Sequence, residues 1–113
     1  MHVLHTLDIA HPPLHGGVAE RELDDALRMV RGSGNLRGLK IIHGYGKSGS
    51  GGVLKDVVLN WAYRNKRWIK SVIPGEQYSV HDRQTLEMRM HAGQISDPDL
   101  EAGNPGITII WVK

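Results

Sequence analysis

Residues 39–62 read LKIIHGYGKSGSGGVLKDVVLNWA, and this stretch decides the fold. The apolar residues Leu39, Ile41 and Ile42 predict a strand over 39–43 that closes on His43, and the glycine- and serine-rich residues 44–52 predict a loop. Val53, Leu54, Val57, Val58, Trp61 and Ala62 then recur at helical spacing, with Lys55, Asp56, Asn60 and Arg64 on or toward the other face. Strand, glycine loop and helix in this order form half of a βαβ unit. Its loop belongs at the C-terminal edge of a sheet, where open α/β folds bind ligands.

The flanking sequence extends the same pattern. Residues 3–9 alternate Val3, His5, Leu7 and Ile9 against Leu4, Thr6 and Asp8, which suits a strand with Asp8 near its end. His11-Pro12-Pro13-Leu14-His15-Gly16-Gly17 breaks it. Leu23, Ala26, Leu27 and Val30 predict a helix over 19–31, with Glu20 and Glu22 expected in its first turn and Arg28 and Arg31 in its last, before the stop at Gly32-Ser33-Gly34. Downstream, 69–73 reads as a third strand ended by Pro74-Gly75. An irregular excursion over 75–105 follows, in which 83–91 can form a third helix with Leu86 and Met90 on one side. Residues 107–112 are almost wholly apolar and belong at a sheet centre or beneath a helix layer. The expectation is one domain over 1–113 of the α/β class, an α+β two-layer sandwich with a βαβαββ-type mixed four-stranded sheet and two main helices. Two right-handed crossovers make three strands parallel, and the last strand adds antiparallel.

Composition narrows the function. The chain has 113 residues, 14 Lys+Arg, 12 Asp+Glu, 14 glycines, 7 histidines and no cysteine. Without cysteine there are no disulfides, thiolate zinc sites, iron–sulfur clusters or cysteine nucleophiles. No apolar run approaches the roughly 20 residues that span a bilayer, and the opening Met1-His2-Val3-Leu4-His5 lacks the order of a secretory signal. A soluble, cytoplasmic protein without a membrane partner is expected. The formal net charge is +2 and the sequence pI about 9.1, so the placement of charge matters more than its sum. Between Lys40 and Lys70 the bases Lys47, Lys55, Arg64, Lys66 and Arg67 meet one acid, Asp56.

The loop after His43 offers backbone amides, Ser48, Ser50 and Lys47 to an anion at a helix start, a combination suited to phosphate. A Walker loop would need glycine where Ile41 stands, which removes that reading. Gly44-x-Gly46-x-x-Gly49 matches the dinucleotide pattern, but Gly49 lies before the helix opens and no acid sits near position 69 to bind a ribose. Nucleotide binding by the glycine loop stays as an alternative.

His43-Gly44-Tyr45-Gly46, followed by the loop and amphipathic helix, resembles the His-Gly-x-Gly motif of the Smr (small MutS-related) domain. Leu7-Asp8-Ile9 resembles the start of that family's Leu-Asp-x-His motif, and Asn104-Pro105-Gly106 with 107–110 resembles its closing strand. The fourth place of Leu-Asp-x-His is Ala10, with His11 directly after it; either His11 or His15 stands in for the motif histidine, and an insertion that returns His15 to the site is the favoured explanation. The resemblance implies a fold similar to the C-terminal domain of translation initiation factor three. It also implies binding of DNA or RNA, with nicking or cleavage of phosphodiester bonds in some members. Asp8, His43 and His15 are then the candidate catalytic residues: Asp8 to orient water or a divalent ion such as magnesium or manganese, and His43 to shuttle a proton. Gly44, Tyr45, Gly46, Lys47, Ser48, Ser50 and Lys55 are the candidate nucleic-acid contacts, with Tyr45 able to stack on a base. The alternative is a binding module, on nucleic acid or the ribosome, that does not cleave.

Other residues have ordinary readings. His43 alone would be a hydrogen-bonded structural histidine, and Trp61 and Trp111 fall on core positions. His2 and His5 make a poor metal site. Asp97, Asp99 and Glu101 alternate like a calcium loop but lack its glycine and its final glutamate, and are expected to form a solvated turn. Lys66, Arg67 and Lys70 read as a solvated helix end, of interest if they share a face with Lys47.

Overall fold

In a computed structural model that describes residues 3–45, 52–93 and 97–113, the chain forms β1 (Leu4–Asp8), α1 (Gly16–Gly32), β2 (Gly38–Ile42), α2 (Gly52–Arg64), β3 (Ile69–Pro74), α3 (Arg83–Ala92) and β4 (Ile107–Val112). The strands join in one sheet of order β1-β2-β4-β3. β1 pairs parallel with β2, and β4 runs antiparallel to both β2 and β3. Hence β1, β2 and β3 share a direction, as the crossovers require, and β4 fills the place between β2 and β3. That central position explains its composition, since all six of its residues are buried.

The two faces of the sheet are covered differently. Leu39, Ile41, Ile110 and Val112 pack against the stripe Ala19, Leu23, Ala26, Leu27 and Val30 of α1 and against Val58, Trp61 and Ala62 of α2. Burying Leu23, Leu27 and Val30 stabilises by about 1.5–3 kcal/mol each, which outweighs helix propensity in holding α1. Trp61 Nε1 donates to Asp24 Oδ1 at 2.8 Å and locks α2 to α1. On the far face Ile107, Ile109 and Trp111 meet Ile73, Tyr78 and Met88, so the excursion after β3 is the second cover of the sheet and α3 is part of it. Asp82 caps α3 by accepting from the Thr85 amide and hydroxyl, both at 2.9 Å.

Two sequence expectations are corrected. α1 opens at Gly16, so Glu20 and Glu22 fall beyond its first turn, and Glu20 instead pairs with Arg64 of α2 at 2.7 Å. Asp97 and Asp99 are no solvated turn: they hold the Lys40 ammonium at 2.7 and 2.6 Å, with the Lys40 and Asp97 side chains only 10% and 7% exposed. The cause is strand alternation. Leu39 and Ile41 face the helices, which turns Lys40 into the far face, where a charge must bring its own counter-charges. Burial works against the Lys40 ammonium, but the hydrogen bonds it donates to both carboxylates prevail and raise its pKa.

Candidate functional site

β1 and β2 end side by side, with Asp8 opposite Ile42 in register. Beyond Asp8 the chain makes a closed excursion: Leu14 donates its amide to Ile9 O at 2.9 Å, and Ala10 bridges to Pro13. This turn carries His11 back over Asp8. Asp8 Oδ1 accepts from the Ala10 and His11 amides at 2.8 and 3.1 Å, and His11 Nδ1 lies 3.0 Å from Oδ2. Partial burial raises the Asp8 pKa, but the Ala10 amide, the His11 ring and the His11 amide more than offset it and hold the carboxyl below its ordinary range. With Asp8 ionised, Nδ1 carries the proton and donates. The other ring nitrogen is then the basic one, on a side chain 70% exposed.

His43 is arranged differently. It is 2% exposed, and its Nδ1 and Nε2 lie 2.9 Å from Gly44 O and Thr108 Oγ1. A carbonyl can only accept, so Nδ1 is protonated and donates to Gly44 O, while Nε2 accepts from the Thr108 hydroxyl. Burial lowers the His43 pKa and keeps the ring neutral. The amides of His43 and Gly44 both donate to Gly106 O at 3.0 Å, which pins the start of the glycine loop to the start of β4. Gly44 takes φ +74°, and a Cβ there would meet Ala10 Cβ at 3.4 Å, so the two turns of the site touch at Ala10 and Gly44. His43 therefore builds the edge, and both its nitrogens are engaged within the fold.

Tyr45 is 49% exposed. Its hydroxyl donates to Asn104 Oδ1 at 2.9 Å, Asn104 Oδ1 also accepts the Gly106 amide at 2.9 Å, and Asn104 Nδ2 donates to Asp99 Oδ1 at 3.2 Å. A continuous polar chain thus runs from Tyr45 to the buried Lys40. Lys55 of α2 stands 3.9 Å from Glu76, a loose contact that leaves its charge available to a third group. Gly46, Lys47, Ser48 and Ser50 lie outside the described residues.

Ala10, His11, Pro13, His43, Gly44, Tyr45, Val53 and Leu54 line one cleft of about 320 Å³. His15 is not among them. It is the exposed N-cap residue of α1, without a side-chain cap bond, so the histidine placed on Asp8 is His11. Among the described residues no group of three or more carboxylate or imidazole side chains gathers in a metal-binding arrangement. Sequence reasoning passed over Thr108, whose signal is a lone hydroxyl in an otherwise apolar strand. It also passed over the Lys40 cluster, signalled by a lysine inside an apolar run, and left His11 second to His15 although three residues from Asp8 is the span of one turn.

The fold and the cleft define a small α+β domain whose sheet edge carries a carboxylate–histidine pair, Asp8 and His11, beside a histidine anchor, His43. The chain belongs to the Smr domain family, whose sequence profile matches residues 13–82. Among solved structures it is similar to the crystal structure of the Smr domain of Thermus thermophilus MutS2, with 21% identity, coverage of 96% of this chain and 98% of that one, and a TM-score of 0.60. That likeness concerns the fold. No curated protein matches the chain in sequence.

Proposed function

We propose that this Smr domain binds nucleic acid at the edge where β1 and β2 end and cleaves phosphodiester bonds there, nicking DNA or cutting RNA. The observation that carries the chemistry is the Asp8–His11 contact of 3.0 Å beside the His43-anchored loop. Asp8 fixes the His11 ring and its tautomer. His11 Nε2 accepts a proton from water as the water oxygen bonds to phosphorus, and the same proton serves the departing oxygen as the P–O bond breaks. Lys47, with Ser48 and Ser50, supplies charge and hydroxyls to the phosphoryl oxygens, Lys55 adds a cation from α2, and Tyr45 offers a ring to a neighbouring base. His43 acts as a positioning residue through Gly44.

A second reading, binding without cleavage, is favoured by Ala10 at the place of the motif histidine and by a family match that begins at residue 13, after Asp8 and His11. A plasmid-nicking assay and an RNA-cleavage assay, each with magnesium, with manganese and without metal, separate the two. Cutting that disappears in His11→Ala while binding persists supports cleavage; binding without cutting under every condition leaves the binding module.

A further inference from the structure

The other end of the sheet carries the larger uncompensated charge. Arg31 ends α1, Arg37 precedes β2, Lys66 and Arg67 follow α2, Lys70 lies in β3 and Lys113 follows β4. All six side chains are exposed, and none pairs with a carboxylate among the described residues, whereas Arg28, Lys40, Lys55, Arg64 and Arg83 all do. The reason lies in the sequence: residues 26–55, 57–75 and 102–113 contain no Asp or Glu, and the fold brings one part of each segment together. Val112 pairs with Ile69 and the Val112 amide donates to Arg37 O, while the Lys113 amide donates to Trp68 O. Ile107, at the other end of β4, pairs with Ile42 beside the candidate site. Five residue steps of strand, roughly 17 Å, separate the two ends.

Four of these six cations are seated on aromatic rings. The Arg31 guanidinium lies 3.4 Å over Trp68, Arg67 4.8 Å over the same ring, Lys66 4.4 Å over Tyr63 and Lys70 5.4 Å over Trp111. Seating on a ring restricts a long side chain before any ligand arrives, which lowers the entropy lost on contact. Beside them, Leu59, Ala62, Tyr63, Ile69 and Val72 line a cleft of about 360 Å³ along the outer edge of β3, with Lys66 and Lys70 also in its wall. Tyr63 is 70% exposed although Lys66 covers it in part. Cations at a row of sites with a flat ring and an apolar cleft between them match a phosphate backbone with unstacked bases.

We propose that this basic belt is a second nucleic-acid surface, specific for a single strand, with the backbone on Arg37, Lys66 and Lys70 and a base against Tyr63. It rests on the nucleic-acid reading above but predicts a separate contact. The test uses a fluorescein-labelled oligothymidylate of about 20 nucleotides, a labelled duplex, and anionic phosphatidylglycerol vesicles. For the single strand, Arg37→Gln/Lys66→Gln/Lys70→Gln should reduce the slope of log K against log salt by about two, and Tyr63→Ala should weaken binding about tenfold. Lys66→Gln/Lys70→Gln, which keeps the Arg37 contacts with the Gly34 and Leu36 carbonyls, provides a second variant should the triple fail to fold. Unchanged affinity and slope in the belt variants, with binding lost in Lys47→Ala/Lys55→Ala, overturns the belt and keeps the first site. Loss in the belt variants alone supports the belt and removes the first site. Binding of vesicles but not of the single strand overturns the proposal in favour of a membrane surface.

Discussion

His11 Nδ1 sits 3.0 Å from Asp8 Oδ2, held there by a turn whose own amides donate to the same carboxylate. The pair belongs to one short segment, and it shares a cleft with His43 where β2 delivers Gly44 against Ala10. The cleavage proposed above is accordingly expected to depend on the pair as a unit. Asp8→Asn and His11→Ala should each lower the rate by about 10²–10⁴-fold with little change in binding, whereas His15→Ala should leave the rate unchanged. Single-turnover cleavage alongside fluorescence anisotropy measures both quantities. Loss in His15→Ala with retention in His11→Ala would reverse the assignment.

His43 makes stability sensitive to mild acid. Its pKa is lowered from the ordinary 6.5 by burial, so between that value and the folded one the unfolded chain binds more protons. Stability is full above about pH 6.5 and falls as the pH drops below it, with a slope of at most about 1.4 kcal/mol per unit from this group. Asp8 and Asp99 are lowered from 3.8, so the stability they contribute is lost only at more acidic pH. Urea melts from pH 8 to pH 3 should show the first decline in the wild type and not in His43→Gln.

Removing one member of the Lys40 cluster strands the others. Asp97→Ala leaves a buried ammonium with one partner and frees the Tyr78 hydroxyl, which donates to Asp97 Oδ2 at 3.0 Å. A loss of about 3 kcal/mol is expected. The surface pair Arg28–Asp25, with both side chains about 70% exposed, should give under about 1 kcal/mol when Arg28 becomes Ala. Chemical denaturation of the two variants compares them directly.

Gly44→Ala places a side chain at φ +74° and within 3.4 Å of Ala10 Cβ. The backbone term alone costs about 1–2 kcal/mol. Since Gly44 O also accepts from His43, nucleic-acid binding at the loop should weaken together with stability. A variant that melts earlier but binds as the wild type would separate the glycine from the ligand edge.

Periodicity was enough to locate the elements. The spacing of Leu23, Leu27 and Val30, the run closing on His43 and the apolar stretch 107–112 each express a local rule, namely that one face or both must be buried, and each element appears where that rule puts it. The Smr motif around His43 was legible for the same reason, because a glycine loop between a strand and a helix is contiguous in the chain. What the tertiary structure alone decided were contacts between distant residues. β4 enters between β2 and β3, and only then does Thr108 reach His43 across 65 residues, and Asp97 reach Lys40 across 57. The choice of His11 over His15 depends on the closed turn over Asp8, and the basic belt on three acid-free segments meeting at one end of the sheet. Sequence carries the alternation that says a side chain must be satisfied; which partner satisfies it is settled by packing, where the geometry of the whole sheet brings distant groups within hydrogen-bond reach.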